Sequence, residues 1–157
     1  MRLSISHLLL ATAITCAAAP VLAQQDGAGI VTAVNPRAIS QAPQGPIERL
    51  VIGHHVVPKE KLTTLDQGRV QLLFADQSAL TMGENTELTI DEFAFDPKTG
   101  AGQIVATIVT GSVHYVGNAK NPKGGAEFST PSGTVTIAGD GVASIRVRPK
   151  SPSGSGR

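Results

Sequence analysis

The sequence has no tryptophan, one tyrosine, one cysteine and four phenylalanines, and each scarcity removes a class of protein. Aromatic residues make up 3% of the chain, so the ring-lined cleft with which glycosidases and many carbohydrate modules grip sugars is missing. The core is expected to be aliphatic. A single cysteine forms no internal disulfide and no thiolate metal cluster. Charge is sparse as well: 16% of residues are charged, and 13 Lys and Arg against 12 Asp and Glu leave a net charge of +1. Proteins that hold nucleic acid concentrate positive charge against phosphates, so no nucleic-acid partner is expected. Past the first 23 residues, no 11-residue window carries the 3.6-residue apolar period of a surface helix.

What is present begins with a leader. Arg2 precedes an apolar run from Leu8 through Ala19, and Pro20-Val21-Leu22-Ala23 stands before Gln24. A positive start, an apolar centre and a small residue at the cut are the parts of a secretory signal. They predict a cleaved signal peptide over 1–23 and a periplasmic or secreted mature chain. The run is diluted by Thr12 and Thr15 and is shorter than the ~20 apolar residues of a membrane helix. Cys16 lies inside it, but Ala13-Ile14-Thr15 offers neither the leucine nor the small residue of a lipid-attachment site. Cys16 is therefore expected to leave with the leader, rather than to anchor an outer-membrane lipoprotein. No later stretch is long and apolar enough to span a membrane, so no transmembrane segment is expected in the mature chain.

Seventeen glycines and ten prolines suit a chain of many tight turns. Residues 24–45 read as a flexible lead-in with a possible edge strand at Ile30–Val34. Residues 46–148 read as one β domain, and 149–157 as a disordered tail. In Arg69–Phe74 the residues Val70, Leu72 and Phe74 share one face while Arg69 and Gln71 take the other, which is the alternation of a half-buried strand. Ala75–Ser78 supplies a turn before Ala79–Met82. Thr86–Phe95 repeats the alternation with Leu88 and Ile90 inward, and Asp96–Gly100 has the proline and glycine of a type I turn. Gln103–Thr110 is nearly continuous in apolar residues and Thr, which predicts a central strand covered on both faces. Gly111 interrupts it before Ser112–Val116 and predicts a bulge or bend. Glu127–Thr130, Thr134–Ile137 and Val142–Val147 complete the series, with Gly139-Asp140-Gly141 suited to a tight hairpin. The fold class expected is all-β: a single domain of short, mainly antiparallel strands in a β-sandwich or β-roll.

Candidates for chemistry are few. His54 and His55 are adjacent and point to opposite faces of any strand, and neither they nor His114 come with a third ligand at metal-binding spacing. Glu84, Glu87, Asp91, Glu92 and Asp96 fall in a stretch without Lys or Arg, but too widely spaced for a calcium loop. A solvated strand face that blunts a sheet edge is the expected use. Ser112 and His114 share a strand face without a nucleophile elbow. No catalytic, cofactor-binding or metal-binding residue is assigned, and no enzyme activity or cofactor is expected.

The order of turns resembles a known family. Lys61-Leu62-Thr63-Thr64, then Val70 through Asp91 with Phe74-Ala75-Asp76-Gln77-Ser78 and Leu88-Thr89-Ile90-Asp91, then Phe93-Ala94-Phe95-Asp96, are similar to the FecR domain. Val109–Val113 and Ser129-Thr130-Pro131 before Val135–Ile137 extend the resemblance over 47–148. It departs at Ile137-Ala138-Gly139-Asp140, where the family commonly has Ile-Arg-Gly-Thr. The resemblance implies a signalling or regulatory module of the bacterial envelope. In its best-known setting such a domain relays an outer-membrane transporter signal to a sigma factor through a membrane helix and a cytoplasmic segment, neither of which is read in this chain. A free-standing exported domain is therefore expected. Its expected partner is an envelope protein, met at a sheet edge or loop face. The alternative is a glycan or peptidoglycan held by loops 96–102 and 117–125.

Overall fold

The computed structural model describes residues 27–120 and 123–149. The leader expected at 1–23 and the tail beyond Pro149 lie outside the described residues. Twelve strands follow in chain order: β1 (Gly29–Asn35), β2 (Ala38–Gln41), β3 (Ile47–Arg49), β4 (His55–Val56), β5 (Lys61–Thr64), β6 (Arg69–Phe74), β7 (Ala79–Met82), β8 (Glu87–Phe95), β9 (Gly102–Val116), β10 (Gly125–Thr130), β11 (Gly133–Ala138) and β12 (Val142–Val147). They form one sheet curled into a half-barrel with two walls. The first wall runs β4-β1-β6-β7-β9-β12, and the second β3-β2-β5-β8-β9-β10-β11. All pairs are antiparallel except β9 with β10.

β9 belongs to both walls because it bends at Gly111. Its first half pairs with β8 and β10, and its second half with β7 and β12. Gly111 sits at φ +97°, and a Cβ there would collide with Cα and Oγ1 of Thr86, so only glycine fits. The two ends of β9 return to one place. Gly102 packs on the Asp76 side chain, and Asn118 Nδ2 donates to the Asp76 carbonyl at 2.8 Å. A parallel pair ordinarily needs a crossover of a dozen residues or more. Here the second half of β9 is that crossover, leaving a short loop to bring β10 beside the first half.

Three of the other passages between walls, at Pro36-Arg37, Leu65–Gly68 and Gly83–Thr86, lie at the same end as Gly111. These corners stack and bond to one another. Leu65 N donates to Arg37 O (2.8 Å), Thr64 N to Thr86 O (2.9 Å), and Gly83 N to Ser112 O (2.8 Å). Thr64 Oγ1 accepts from Thr86 N (2.9 Å) and donates to Gly83 O (2.6 Å), while Thr86 Oγ1 accepts from Ser112 N (3.0 Å). Buried threonines thus supply the partners that a bent backbone can no longer find in a ladder.

Inward residues of both walls meet in one core that includes Leu62, Leu72, Leu80, Leu88, Ile90, Ile104 and Ile108. The expectation of a purely aliphatic core is corrected by where the few aromatics go. Phe74, Tyr115 and Phe128 are buried. Tyr115 meets Phe128 edge-to-face at 5.5 Å between ring centres, and Phe74 stacks on Phe93 at 5.8 Å. Such ring pairs add about 0.5–1.5 kcal/mol each beyond their buried area.

Other expectations are also corrected. The lead-in is part of the sheet from Gly29 on, and β1 is interior, between β4 and β6. β9 is central but alternates, with Gln103 and Val109 exposed, because no third layer covers its outer side. Gly139–Gly141 makes no hairpin: β11 pairs with β10 in one wall and β12 with β9 in the other, so this glycine-rich turn carries the chain across. The loop after β8 is longer than a type I turn, closing through Asp96 N to Ala101 O at 2.9 Å. Within it, the Lys98 amide and the Thr99 hydroxyl hold the Asp96 carboxyl below its ordinary value.

Gly111→Ala is expected to cost at least about 3 kcal/mol, combining left-handed strain with a backbone collision, read as a lower urea midpoint. A second measurement uses Tyr115, the single tyrosine. Burial raises its phenol above the ordinary tyrosine value, opposed by a hydrogen bond with Ser78 and assisted by the Asp76 carboxylate. A raised folded-state value means that the stabilisation is intact below pH 10 and is lost as pH climbs through the folded value. Phenolate absorbance is therefore expected to appear only above pH 10 and together with loss of the β circular-dichroism signal. Ionisation at an ordinary pH with the fold intact would contradict this packing.

Candidate functional site

The alternation that buries Val70, Leu72 and Phe74 turns Arg69, Gln71 and Leu73 outward on β6. Neighbouring strands continue these outward positions as rows across the first wall. Nearest the corners, Asn35 stands opposite Arg69, and Ser112 opposite Arg146. The middle row is Gln71, Thr81, His114 and Ser144. The far row is Ile30, Leu73, Ala79, Val116 and Val142. Leu73, Val116 and Val142 are exposed by 40%, 38% and 62%, so this row is an apolar stripe in solvent.

Asn35, Arg69, Gln71, Thr81, Ser112 and Arg146 of these rows line an open groove of about 960 Å³, and Arg69, Thr81, Gly83, Ser112 and Arg146 also line an adjoining hollow of about 360 Å³ that reaches His114 and Ser144. Glu84 also lines the groove, its carboxylate accepting from the Gln67 amide at 3.3 Å. Ion pairs among the described residues join His54 to Glu60 and Lys61 to Glu87. Neither Arg69 nor Arg146 has a hydrogen-bonding or charged partner among the described residues.

The structure separates the histidines. His54 Nε2 lies 2.7 Å from Oε1 of Glu60, a side chain only 2% exposed whose Oε2 accepts from the Val57 amide at 2.9 Å. His55 projects from β4 opposite Ile30. His114 and Ser112 do share the groove face, but His114 Nδ1 bonds to Ser144 Oγ at 2.8 Å, while the backbone of Ser112 is bound into the corner stack. The acidic residues also disperse. Glu87 pairs with Lys61 at 2.8 Å, Asp91 accepts from the Thr107 hydroxyl at 2.7 Å, and Asp96 caps its own loop. β5 covers β8 only as far as Ile90, so exposed Glu92 stands on an open stretch of edge as expected, while Glu87 lies between β5 and β9. Among the described residues no group of three or more His, Cys, Asp or Glu could hold a metal, and no helix is long and apolar enough to cross a membrane.

Sequence reasoning missed the two arginines and the buried Glu60. Arg69 was legible as an outward residue, but its convergence with Arg146 needs the strand order β6-β7-β9-β12. Nothing in the local pattern marks Glu60 as buried.

Residues 60–153 match the family described as FecR protein, more than half of the 157-residue chain. The chain belongs to the FecR family. Domains of this family are non-catalytic signalling modules. No curated protein and no solved structure matches the chain. The match to the FecR family begins at Glu60, so β1–β4 precede it and complete both walls.

Glu60→Ala removes the partner of His54 and orphans the Val57 amide. An expected loss of about 2 kcal/mol, smaller than for a fully buried pair because His54 reaches water, is read by urea unfolding. His54→Ala is expected to cost less than Glu60→Ala.

Proposed function

We propose that this FecR-family domain is exported by cleavage of its leader and works in the bacterial envelope as a protein-binding signalling module, receiving a partner strand on β11. The observation that carries this reading is a comparison of the free edges. β4 has two residues and leaves only the last four of β1 open, β3 has three and includes Glu48 and Arg49, the stretch of β8 beyond β5 bears Glu92, and β12 bears Arg146. Shortness and charge are the usual guards against unwanted strand pairing. β11 has neither. Gly133-Thr134-Val135-Thr136-Ile137-Ala138 holds six residues without a charge or a proline, exposed except at Ile137, and pairs only with β10 among the described residues. An unguarded edge rich in β-formers suits an incoming strand, which binds through backbone groups and demands no unusual side chains.

A second reading, a glycan or peptidoglycan module, has one observation in its favour. The loops on either side of the β8–β9 end flank a hollow of about 350 Å³ lined by Phe95, Asp96, Gln103 and Lys123.

The test is affinity recovery from envelope extracts with Thr134→Lys/Thr136→Lys as the comparison. Both threonines are exposed, so a stability change under about 1 kcal/mol is expected. A stoichiometric protein partner is expected with the natural chain and is expected to be lost with the variant. Equal recovery by both would remove β11 from the account. Sedimentation with purified peptidoglycan in place of a protein partner would replace the first reading with the second.

A further inference from the structure

We propose that the outer face of the first wall is a second docking surface, for a protein segment that carries carboxylates beside apolar side chains. This rests on the protein-binding reading and adds a surface distinct from the β11 edge.

Three features on one face define the partner. Arg69 and Arg146 line the same groove without partners among the described residues. A guanidinium without a partner matches a carboxylate in charge and in its planar, forked geometry, and the two arginines outweigh the one carboxylate of the groove, Glu84. The row beside the arginines, Gln71, Thr81, His114 and Ser144, offers side-chain hydrogen-bonding groups one strand apart, about 4.8 Å each, suited to peptide amides and carbonyls laid across the strands. Beyond it the exposed stripe of Leu73, Val116 and Val142 lies four residues along each strand from the arginine row, roughly 13 Å away. A partner filling the face must therefore be acidic at one side and aliphatic at the other.

That combination decides between the two kinds of polymer. An anionic polysaccharide would meet the arginines but leave the aliphatic stripe in water. Of the described rings, Phe74, Tyr115 and Phe128 are in the core and Phe93 and Phe95 lie on β8 in the second wall, so none provides a stacking surface for sugar on this face. A protein segment satisfies both halves.

The probe is a fluorescein-labelled peptide of alternating Glu and Leu, titrated with the leaderless protein and followed by anisotropy. Binding that weakens with added salt is expected. In Arg69→Gln/Arg146→Gln an affinity loss of about tenfold is expected, and a comparable loss in Leu73→Ser/Val116→Ser, both variants keeping the natural melting temperature within a few degrees. The Thr134→Lys/Thr136→Lys chain is expected to bind the probe unchanged. Equal affinity of the arginine variant for the probe, equal binding of an alternating Lys-Leu peptide, or equal binding of polygalacturonate would each overturn the proposal. If the envelope partner is lost with the β11 variant but the probe ignores the arginines, this surface fails while the protein-binding reading stands. If the probe behaves as expected and no envelope protein is recovered, the general reading fails instead.

Discussion

The bend of β9 at Gly111 is the constraint on which the rest of the molecule depends. A straight strand of that length would extend a single wall, and the aliphatic side chains of β6 to β8 would have nothing to face. The bend requires a positive φ, and the corner it makes is too close to Thr86 for any Cβ. It also interrupts the ladder, so Ser112 must find other partners: its amide takes the Thr86 hydroxyl and its carbonyl the Gly83 amide. Thr86 in turn leans on Thr64. One glycine, two threonines and a serine therefore set where the chain turns from one wall to the other, and hydrophobic closure follows from that geometry.

The residues that carry the resemblance in the sequence include those at the corners. Thr64, Gly83 and Gly111-Ser112 build the corner stack, and Phe74, Asp76 and Ser78 build the opposite end, where the Asp76 carboxylate accepts from the Ser78 amide at 2.9 Å and from its hydroxyl at 2.6 Å. Both groups are nearly inaccessible to solvent. Family membership here reports a way of curling a sheet. The outward side chains between these positions touch no corner or turn, so the curl of the sheet places no demand on their identity.

This division also explains what the sequence allowed one to read. The strands from β6 to β8, β10 and β12 were legible because period-two alternation is a local property, and Gly111 was legible as a bend because it interrupts an apolar run. Pairing partners were not legible. The glycines at 139 and 141 look like a hairpin, yet Gly117 N reaches Gly141 O at 2.8 Å and the flanking strands part to different walls. The interior place of β1 was hidden by a Gln- and Gly-rich start, because membership of a sheet depends on what lies alongside. The candidate site suffered most from this limit. Arg69 and Arg146 are far apart in the chain and each reads as an ordinary solvated charge, until β7 and β9 are seen to lie between their strands.

A final step follows from polar satisfaction. Among the described residues no buried side-chain oxygen or nitrogen lacks a hydrogen-bond partner. Both oxygens of the buried Glu60 carboxylate are bonded, and Asp76 Oδ1 accepts twice from Ser78. Reactive sites ordinarily hold a polar group short of partners, or a titratable group poised by its neighbours, inside a closed cleft. Among the described residues the buried polar side chains are paired, and charged groups without partners stand at the surface, Arg69 and Arg146 among them, as does the β11 edge. Exposed groups of this kind are already hydrated and gain from contact only where a partner replaces that water with matched charge or a paired backbone, which is the condition that the proposed protein-binding reading sets for its partner.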